Sequence, residues 1–562
     1  MIKRGKIILF LLVLIAALLR FYRLGEYPAL NADEAAIGYN AYSLLQTGKD
    51  EHGNPWPIHF QSFNDYKPGL YFYLVLPFVK FIGLNEWAVR IPGATLGVLT
   101  VLMVYLLVNE LFTRRQELSI FPPAPRLRRA GNFQFSIAEI AAFFLAISPW
   151  HIHFSRGGWE VNAATFFIVC GVWLFIKALK KPRMFVFSLT FLVLSLYTYH
   201  ASRVVTPLLG LGLLVIYRKQ IRKSLKPFLA ALLFGALLLI PLVNDFANSS
   251  AISRVAGVGL FADTGPLQRI NEQRGEHGDY QALFPKLIHN KAVNYSLAFW
   301  ENWGKHFWGE FLFLSGDEIQ RDKVPETGQM YLFDMILLVV GLMAIARYPQ
   351  GWAPILLWLA VAPTAAALTF QSPHALRAEN MVIPLVIIGA LGFVTIIVWM
   401  KKNIKTRSLF VICHLSFIIL IAWQFARYQH MYWVHMAREY PYSSQYGVKE
   451  MVSYIRQNES KYQKIFVTDR YDQPYVLFLF YLKYPPETFQ VEHNLTPRDN
   501  FGFSTVRAFD KFHFGPINFD SLRPANPGSL IIGTDEEIPD AANVVKEVYG
   551  SNGYLYFQIV AN

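Results

Sequence analysis

The sequence predicts a many-span helical membrane protein that ends in a small α/β domain. Three observations predict it. Hydrophobic residues make up 54% of the 562 and charged residues only 16%, against about 25% charged in an ordinary soluble domain. Several apolar runs approach the roughly 20 residues that cross about 30 Å of hydrocarbon. From about residue 430 the pattern changes, and short β-type runs alternate with amphipathic ones.

The runs can be taken in order, with loops rich in Lys and Arg placed on the cytoplasmic side. MIKRGK precedes KIILFLLVLIAALLRFYRL, and no small-residue cleavage site follows. This predicts an uncleaved first span at about 6–24 with a cytoplasmic N-terminus, and puts loop 25–67 outside. Two apolar segments come next, 68–84 and about 88–112, then a basic loop with Arg114, Arg115, Arg126, Arg128 and Arg129. An outer and an inner loop are joined by an odd number of crossings, so only one segment spans. PGLYFYLVLPFVKFIGL is the shorter and carries two prolines, Pro68 and Pro77. It is assigned as an interfacial or re-entrant helix, and 88–112 as the second span.

Spans at about 135–149 and 161–179 flank an outer loop SPWHIHFSRGGWE, and LKKPR is inside. Spans at about 184–199 and 204–217 flank YTYHASR, with YRKQIRKSLK inside. A span at about 227–243 leads to a long outer loop, 244–327, and one at about 329–346 returns. Spans at about 352–370 and 380–400 flank QSPHALRAE, KKNIKTR is inside, and a last span at about 408–426 goes out. About eleven crossings make residues 1–429 the membrane part and place 430–562 outside the cytoplasm. In that tail GVKEMVSYIRQN has helical spacing, and KIFVTD, SLIIGT and GYLYFQIV read as strands. The tail has no Gly-rich phosphate loop and reads on its own as a docking or lid domain.

The net charge of +13 follows from the cytoplasmic loops. No basic segment interleaved with aromatics stands in a soluble part, which argues against nucleic acid as a partner. Cys170 and Cys413 both lie in apolar runs, which excludes a disulfide framework or a CxxC site.

The polar groups placed outside near span ends are of a different kind. They are Asp33 and Glu34; Asp65, Tyr66 and Lys67; His151, His153, Arg156 and Glu160; Tyr199, His200 and Arg203; Asp317, Glu318 and Arg321; and His374, Arg377 and Glu379. Ionisable groups beside hydrocarbon are costly and tend to be functional. Carboxylates and fixed cations at a membrane surface suit transfer of a sugar from a polyprenyl phosphate. A carboxylate serves as general base to the acceptor hydroxyl, and Arg or Lys meets the charge growing on the departing phosphate. No metal is required and no HExxH or Cys/His spacing is present; a divalent cation at Asp33 or Glu34 stays open but is not indicated. A transporter or flippase of lipid-linked sugars is the alternative. It expects repeated halves and charged spans, and the spans here are largely free of charge. Bland roles also stand beside the functional ones. Asp33 reads as well as the N-cap of a helix over 34–46, and Lys67 as a lysine snorkelling to the interface. Trp87, Trp150 and Trp303 read as an aromatic belt.

NADEAAIGYNAYSLLQTG, FNDYKPGLYFYL, EWAVRIPGATLGVLTVLMVYLL, SPWHIHFSR, YTYHASR, FLSGDEIQRDKVPETGQMYLF and SPHALRAENMVIPL occur in this order. Together they resemble the C-type glycosyltransferases (GT-C fold), in the family 39 group of protein O-mannosyltransferases and lipid A aminoarabinose transferases. The resemblance implies an inverting transferase of the cell membrane that uses a polyprenyl-phosphate sugar and acts on a protein, lipid or surface glycan. It implies Asp33 as general base with Glu34 assisting or positioning it. Lys67 and an arginine of the long loop would meet the lipid phosphate; Arg321 is chosen, with Arg254 and Arg269 in the same loop, and Arg203 is a further candidate. Arg90 would stabilise the catalytic loop. His374 and Arg377 would line the cavity, with Tyr66, His151, Arg156, Glu160, His200 and Asp317 as supporting groups. The long loop is too short for the repeat insertion of eukaryotic protein mannosyltransferases.

Overall fold

A computed structural model describes residues 2–63, 65–117, 136–248, 259–440, 443, 445–498 and 504–562. Arg126, Arg128, Arg129 and Arg254 lie outside the described residues. The chain begins with α1 (Ile2–Phe21) and then, after a short turn, α2 (Ala32–Thr47). A hairpin of β1 (His59–Ser62) and β2 (Asp65–Pro68) follows, antiparallel, with Phe60 opposite Lys67. It is an element the sequence reading left as loop. Then come α3 (Leu70–Ile82) and α4 (Glu86–Glu117). With 13 residues, α3 is well short of a crossing of about 20.

Among the described residues, five helices are long and apolar enough to cross a membrane: Glu86–Phe112, Glu160–Ala178, Leu225–Ala247, Ala375–Asn403 and Arg407–Glu439. Ile137–Ile147 and Pro149–Ser155, bent by 58°, make a sixth if taken together. Leu70–Ile82, Met184–Leu196, Ser202–Ile216 and Ala353–Ala367 are shorter apolar helices.

Two expectations need correction. SPWHIHFSRGGWE is not simply a loop. Ser148 caps Pro149–Ser155 by accepting from the His151 amide, and Pro149 stands at the first position, where its missing N–H costs nothing. The long loop 244–327 likewise contains helices, at Gly265–Gly275, Leu283–Ile288 and Lys291–Lys305.

The closest helix crossing joins Leu332–Arg347 to Val382–Asn403. A Cβ at Gly392 would lie 1.9 Å from the Leu337 carbonyl oxygen, and one at Gly341 2.3 Å from that of Ile388. Small residues let two backbones touch here, as in other membrane helix pairs.

The helix that starts at Arg407 runs through residue 430 to Glu439. Beyond it, a seven-stranded mixed sheet is built from β3 (Ile465–Val467), β4 (Asn494–Leu495), β5 (Val506–Phe509), β6 (Phe512–Phe514), β7 (Leu530–Gly533), β8 (Val544–Tyr549) and β9 (Leu555–Ala561). Its order is β4-β5-β6-β3-β7-β9-β8, with β3 parallel to both β6 and β7. The helix Pro474–Leu482 is apolar on all sides, and seven of its residues are buried. It is buried all round because its other side meets α2: a Cβ on Gly38 would lie 2.6 Å from the Phe480 ring.

Gly392→Leu is expected to lower the thermal unfolding midpoint in detergent by several degrees or to prevent folding, since backbone cannot yield as a side chain can. An unchanged midpoint would show that the two helices are free to separate.

Candidate functional site

The site begins with the cap of α2. Asn31 is the N-cap: its side chain accepts from the Glu34 amide at 2.9 Å, and Glu34 accepts from the Asn31 amide at 3.4 Å. This reciprocal capping box corrects the reading of Asp33 as the cap. Asp33 is the second residue of the helix, two past the cap, so its carboxylate is left for other partners.

Glu34 is fixed. Arg90, from α4, donates Nε to Oε1 and Nη2 to Oε2, both at 2.7 Å. The Gly158 amide donates to Oε1 at 2.8 Å. The remaining guanidinium hydrogens go to the carbonyls of Leu24, Pro28 and Ala29. Arg90 is 0% and Glu34 1% exposed. A carboxylate so fully engaged holds the first turn of α2 against α4.

Asp33 faces the other way. Lys67 Nζ lies 2.5 Å from its Oδ1, and Arg321 Nη1 3.4 Å from its Oδ2. β2 supplies Lys67, whose ammonium sits 4.7 Å from the centre of the Phe63 ring. Its side chain is only 8% exposed. The snorkelling reading is therefore corrected, because the head group is turned into an ion pair and not toward solvent. Tyr66 alternates to the opposite face of the strand. Arg321 is set by its own backbone, whose carbonyl accepts from His153 Nε2 at 2.8 Å. A small open cleft lies beside Arg321, bordered also by Asn31, Glu34, His153, Trp159 and Tyr440; Asp33 and Lys67 are not among its lining residues.

The other predicted residues separate into neighbouring groups. Arg203 donates toward His200 Nδ1 at 3.0 Å and His59 Nε2 at 2.5 Å, and His59 Nδ1 bonds Asp245. This cluster flanks the hairpin, since His59 pairs with Pro68, next to Lys67. Arg156 donates to the carbonyls of Leu19, Arg20, Tyr22 and Tyr27 and to the Tyr432 hydroxyl. It ties the end of α1 to the last long helix. His151 Nδ1 accepts from Arg20 at 2.7 Å. Glu160 opens the helix Glu160–Ala178, where a carboxylate suits the positive end of the helix dipole. His374 and Arg377 do not border the cleft. His374 is 4% exposed and turns to Asp317 and Asp322, while Arg377 bonds Thr369 Oγ1 at 2.6 Å and Gln371. Glu379 is buried and accepts from Thr165.

Two contributors carry no signal at sequence level. Gln445, after the last long helix, accepts from the Ala32 amide at 2.5 Å and donates to the Asp472 carbonyl. It braces the first turn of α2 from the tail. Asp322 lies next to Arg321 in DEIQRDK, where nothing local sets it apart from a solvated charge.

With this geometry in hand, comparison with known proteins is informative. Residues 10–119 match the sequence profile of the dolichyl-phosphate-mannose-protein mannosyltransferase family. No curated protein matches the chain by sequence. Among solved structures, apo ArnT from Cupriavidus metallidurans aligns over 100% of this chain and 98% of its own, with TM-score 0.53 and 11% identity. The same protein bound to undecaprenyl phosphate aligns over 98% and 97%, with TM-score 0.51 and 11% identity. The apo oligosaccharyltransferase from Archaeoglobus fulgidus aligns over 84% of this chain at TM-score 0.49 and 14% identity, and the chain spans 63% of its length. The family 39 resemblance is thus met by an independent match in the first 119 residues, and the helical fold with a C-terminal sheet region is that of ArnT.

Removing Arg90 leaves a buried charge without its partner. Arg90→Met is expected to destabilise the protein by about 3–5 kcal/mol in denaturant unfolding, and adding Glu34→Met should recover part of that loss. Equal losses in the single and double variants would mean that the pair is not coupled.

Proposed function

We propose that the chain is a membrane glycosyltransferase that moves a sugar from a polyprenyl-phosphate donor to an acceptor hydroxyl on a protein, lipid or cell-surface glycan. The reading is carried by Asp33 held between Lys67 and Arg321, a carboxylate between two cations, with Arg321 at the edge of a cleft. The undecaprenyl phosphate bound by ArnT supports the donor class.

In this reading the phosphate of the donor draws Lys67 and Arg321, and Asp33 is released toward the acceptor. Asp33 takes the hydroxyl proton. The acceptor oxygen bonds to the anomeric carbon as the carbon–oxygen bond to the phosphate breaks. The polyprenyl phosphate leaves with the electron pair, stabilised by the same two cations. Direct displacement inverts the anomeric configuration. Glu34 holds the first turn of α2 in place throughout, and this residue set needs no metal for that step.

Residues 1–429 form the catalytic membrane part, with about eleven crossings, and 430–562 stand outside the cytoplasm. A single cysteine at the exposed position 551, in a background of Cys170→Ala and Cys413→Ala, is expected to react with an impermeant maleimide on intact cells. Labelling only after lysis would reverse the orientation.

The central experiment supplies radiolabelled sugars on polyprenyl phosphates to purified protein with membrane extract. Wild type is expected to label an acceptor, and Asp33→Asn to slow transfer by about 10²-fold or more, while lipid-phosphate binding is kept. Lys67→Met is expected to weaken donor binding. Equal rates for wild type and Asp33→Asn would overturn the assignment of the base. Donor movement across vesicles with no transfer would favour a flippase.

A further inference from the structure

Asp317, Asp322 and His374 come together under the loop that carries Arg321. His374 Nδ1 lies 3.5 Å from Asp317 Oδ2 and 3.5 Å from Asp322 Oδ2. One ligand atom from each residue falls within 4.8 Å of the others. Three ligands on a tetrahedral ion with bonds of about 2.1 Å stand about 3.4 Å apart, which the two separations from His374 already match.

A second observation is independent of this spacing. Asp322 is 1% exposed, yet neither carboxylate oxygen takes part in a hydrogen bond among the described residues; the same holds for His374 Nδ1. Buried polar atoms in native proteins nearly always have partners. The orphaned atoms are the ones that converge. Asp317, in contrast, has its carboxylate oriented by the amides of Ile319 at 2.9 Å and Ala375 at 2.5 Å. His306 Nδ1 donates to the Asn302 carbonyl, and its Nε2 accepts from the His374 amide. Outer contacts of this kind orient metal ligands.

We propose that Asp317, Asp322 and His374 bind one divalent transition-metal ion, of the Zn2+ or Mn2+ class, which ties the loop around Arg321 to the turn at His374. Two carboxylates and one imidazole are the donor set such ions accept, with at least one position left for water. The charges agree. Two carboxylates buried together repel unless a cation or a proton intervenes. The ion holds Asp322, and His153 holds the Arg321 carbonyl, so the backbone on which Arg321 approaches Asp33 is fixed on both sides. The site is distinct from Asp33 and Glu34 and does not depend on the proposed transferase activity.

The test uses the full chain purified in detergent without chelator. Elemental analysis is expected to find close to one equivalent of metal. After stripping with EDTA, ZnCl2 or MnCl2 should restore the unfolding temperature. Asp322→Asn keeps the shape of a protonated acid and removes the ligand charge; it should lower the affinity by about 100-fold or more. His374→Gln serves as a second variant. Wild type without copurified metal and without a thermal shift from either ion overturns the proposal. So does Asp322→Asn or His374→Gln that retains the wild-type metal content. If Asp322 is simply a buried neutral acid, Asp322→Asn folds as wild type and both lack metal, which also overturns it.

Discussion

The ion pair of Glu34 with Arg90 organises everything around it. It joins the first turn of α2 to α4 inside the protein, where neither group meets water. Charges buried this deeply are stable only when their hydrogen-bonding capacity is met. Both are saturated by backbone: Arg90 by three carbonyls of the turn between α1 and α2, Glu34 by the Gly158 and Asn31 amides. The pair thereby fixes the start of α2, the preceding turn and the segment after Ser155 in one arrangement. Asp33 inherits its direction from that arrangement. Two neighbouring carboxylates acquire different surroundings: one faces a buried guanidinium, the other an ammonium and a half-exposed guanidinium.

Three layers of cation surround Asp33. Lys67 is held by a two-stranded hairpin, Arg321 by a loop pinned through His153, and Arg203 by a histidine cluster beside the same hairpin. The first two contact Asp33; the third bonds His59, which pairs with Pro68 next to Lys67. Such a graded set suits an anion that arrives from one side and stays at the rim. It also explains why the sequence scatters these residues among loops so far apart. Each is delivered by the end of a different helix or strand.

Much of the helical framework was legible, because long apolar runs and basic loops announce themselves. Glu160–Ala178, Leu225–Asn248 and Val382–Asn403 fall close to their expected bounds. The three strands read in the tail are present as β3, β7 and β9. What was not legible depends on contacts between distant segments. The β1–β2 hairpin is too short and too polar to give a periodic signal. The Pro149–Ser155 helix hides behind a proline and two histidines. The pairing of Glu34 with Arg90 was legible only as an expectation that Arg90 steadies the loop. The capping of α2 was misplaced, since the N-cap is Asn31 and not Asp33. The burial of His374 against two aspartates depends on how the long loop folds back, and no local pattern encodes that.

The grip of the tail on α2 has a temporal side. Ala32 is bonded by Gln445, Ser43 and Thr47 by Gln490, and Glu51 by Tyr475. Ala32 and its partner are 413 positions apart in the chain. At synthesis rates of about 5–20 residues per second, α2 waits roughly 20–80 s for the segment that covers its outer face. During that interval the earliest-made part of the site is left half-covered. The protein comes into working order only when its last hundred or so residues have arrived.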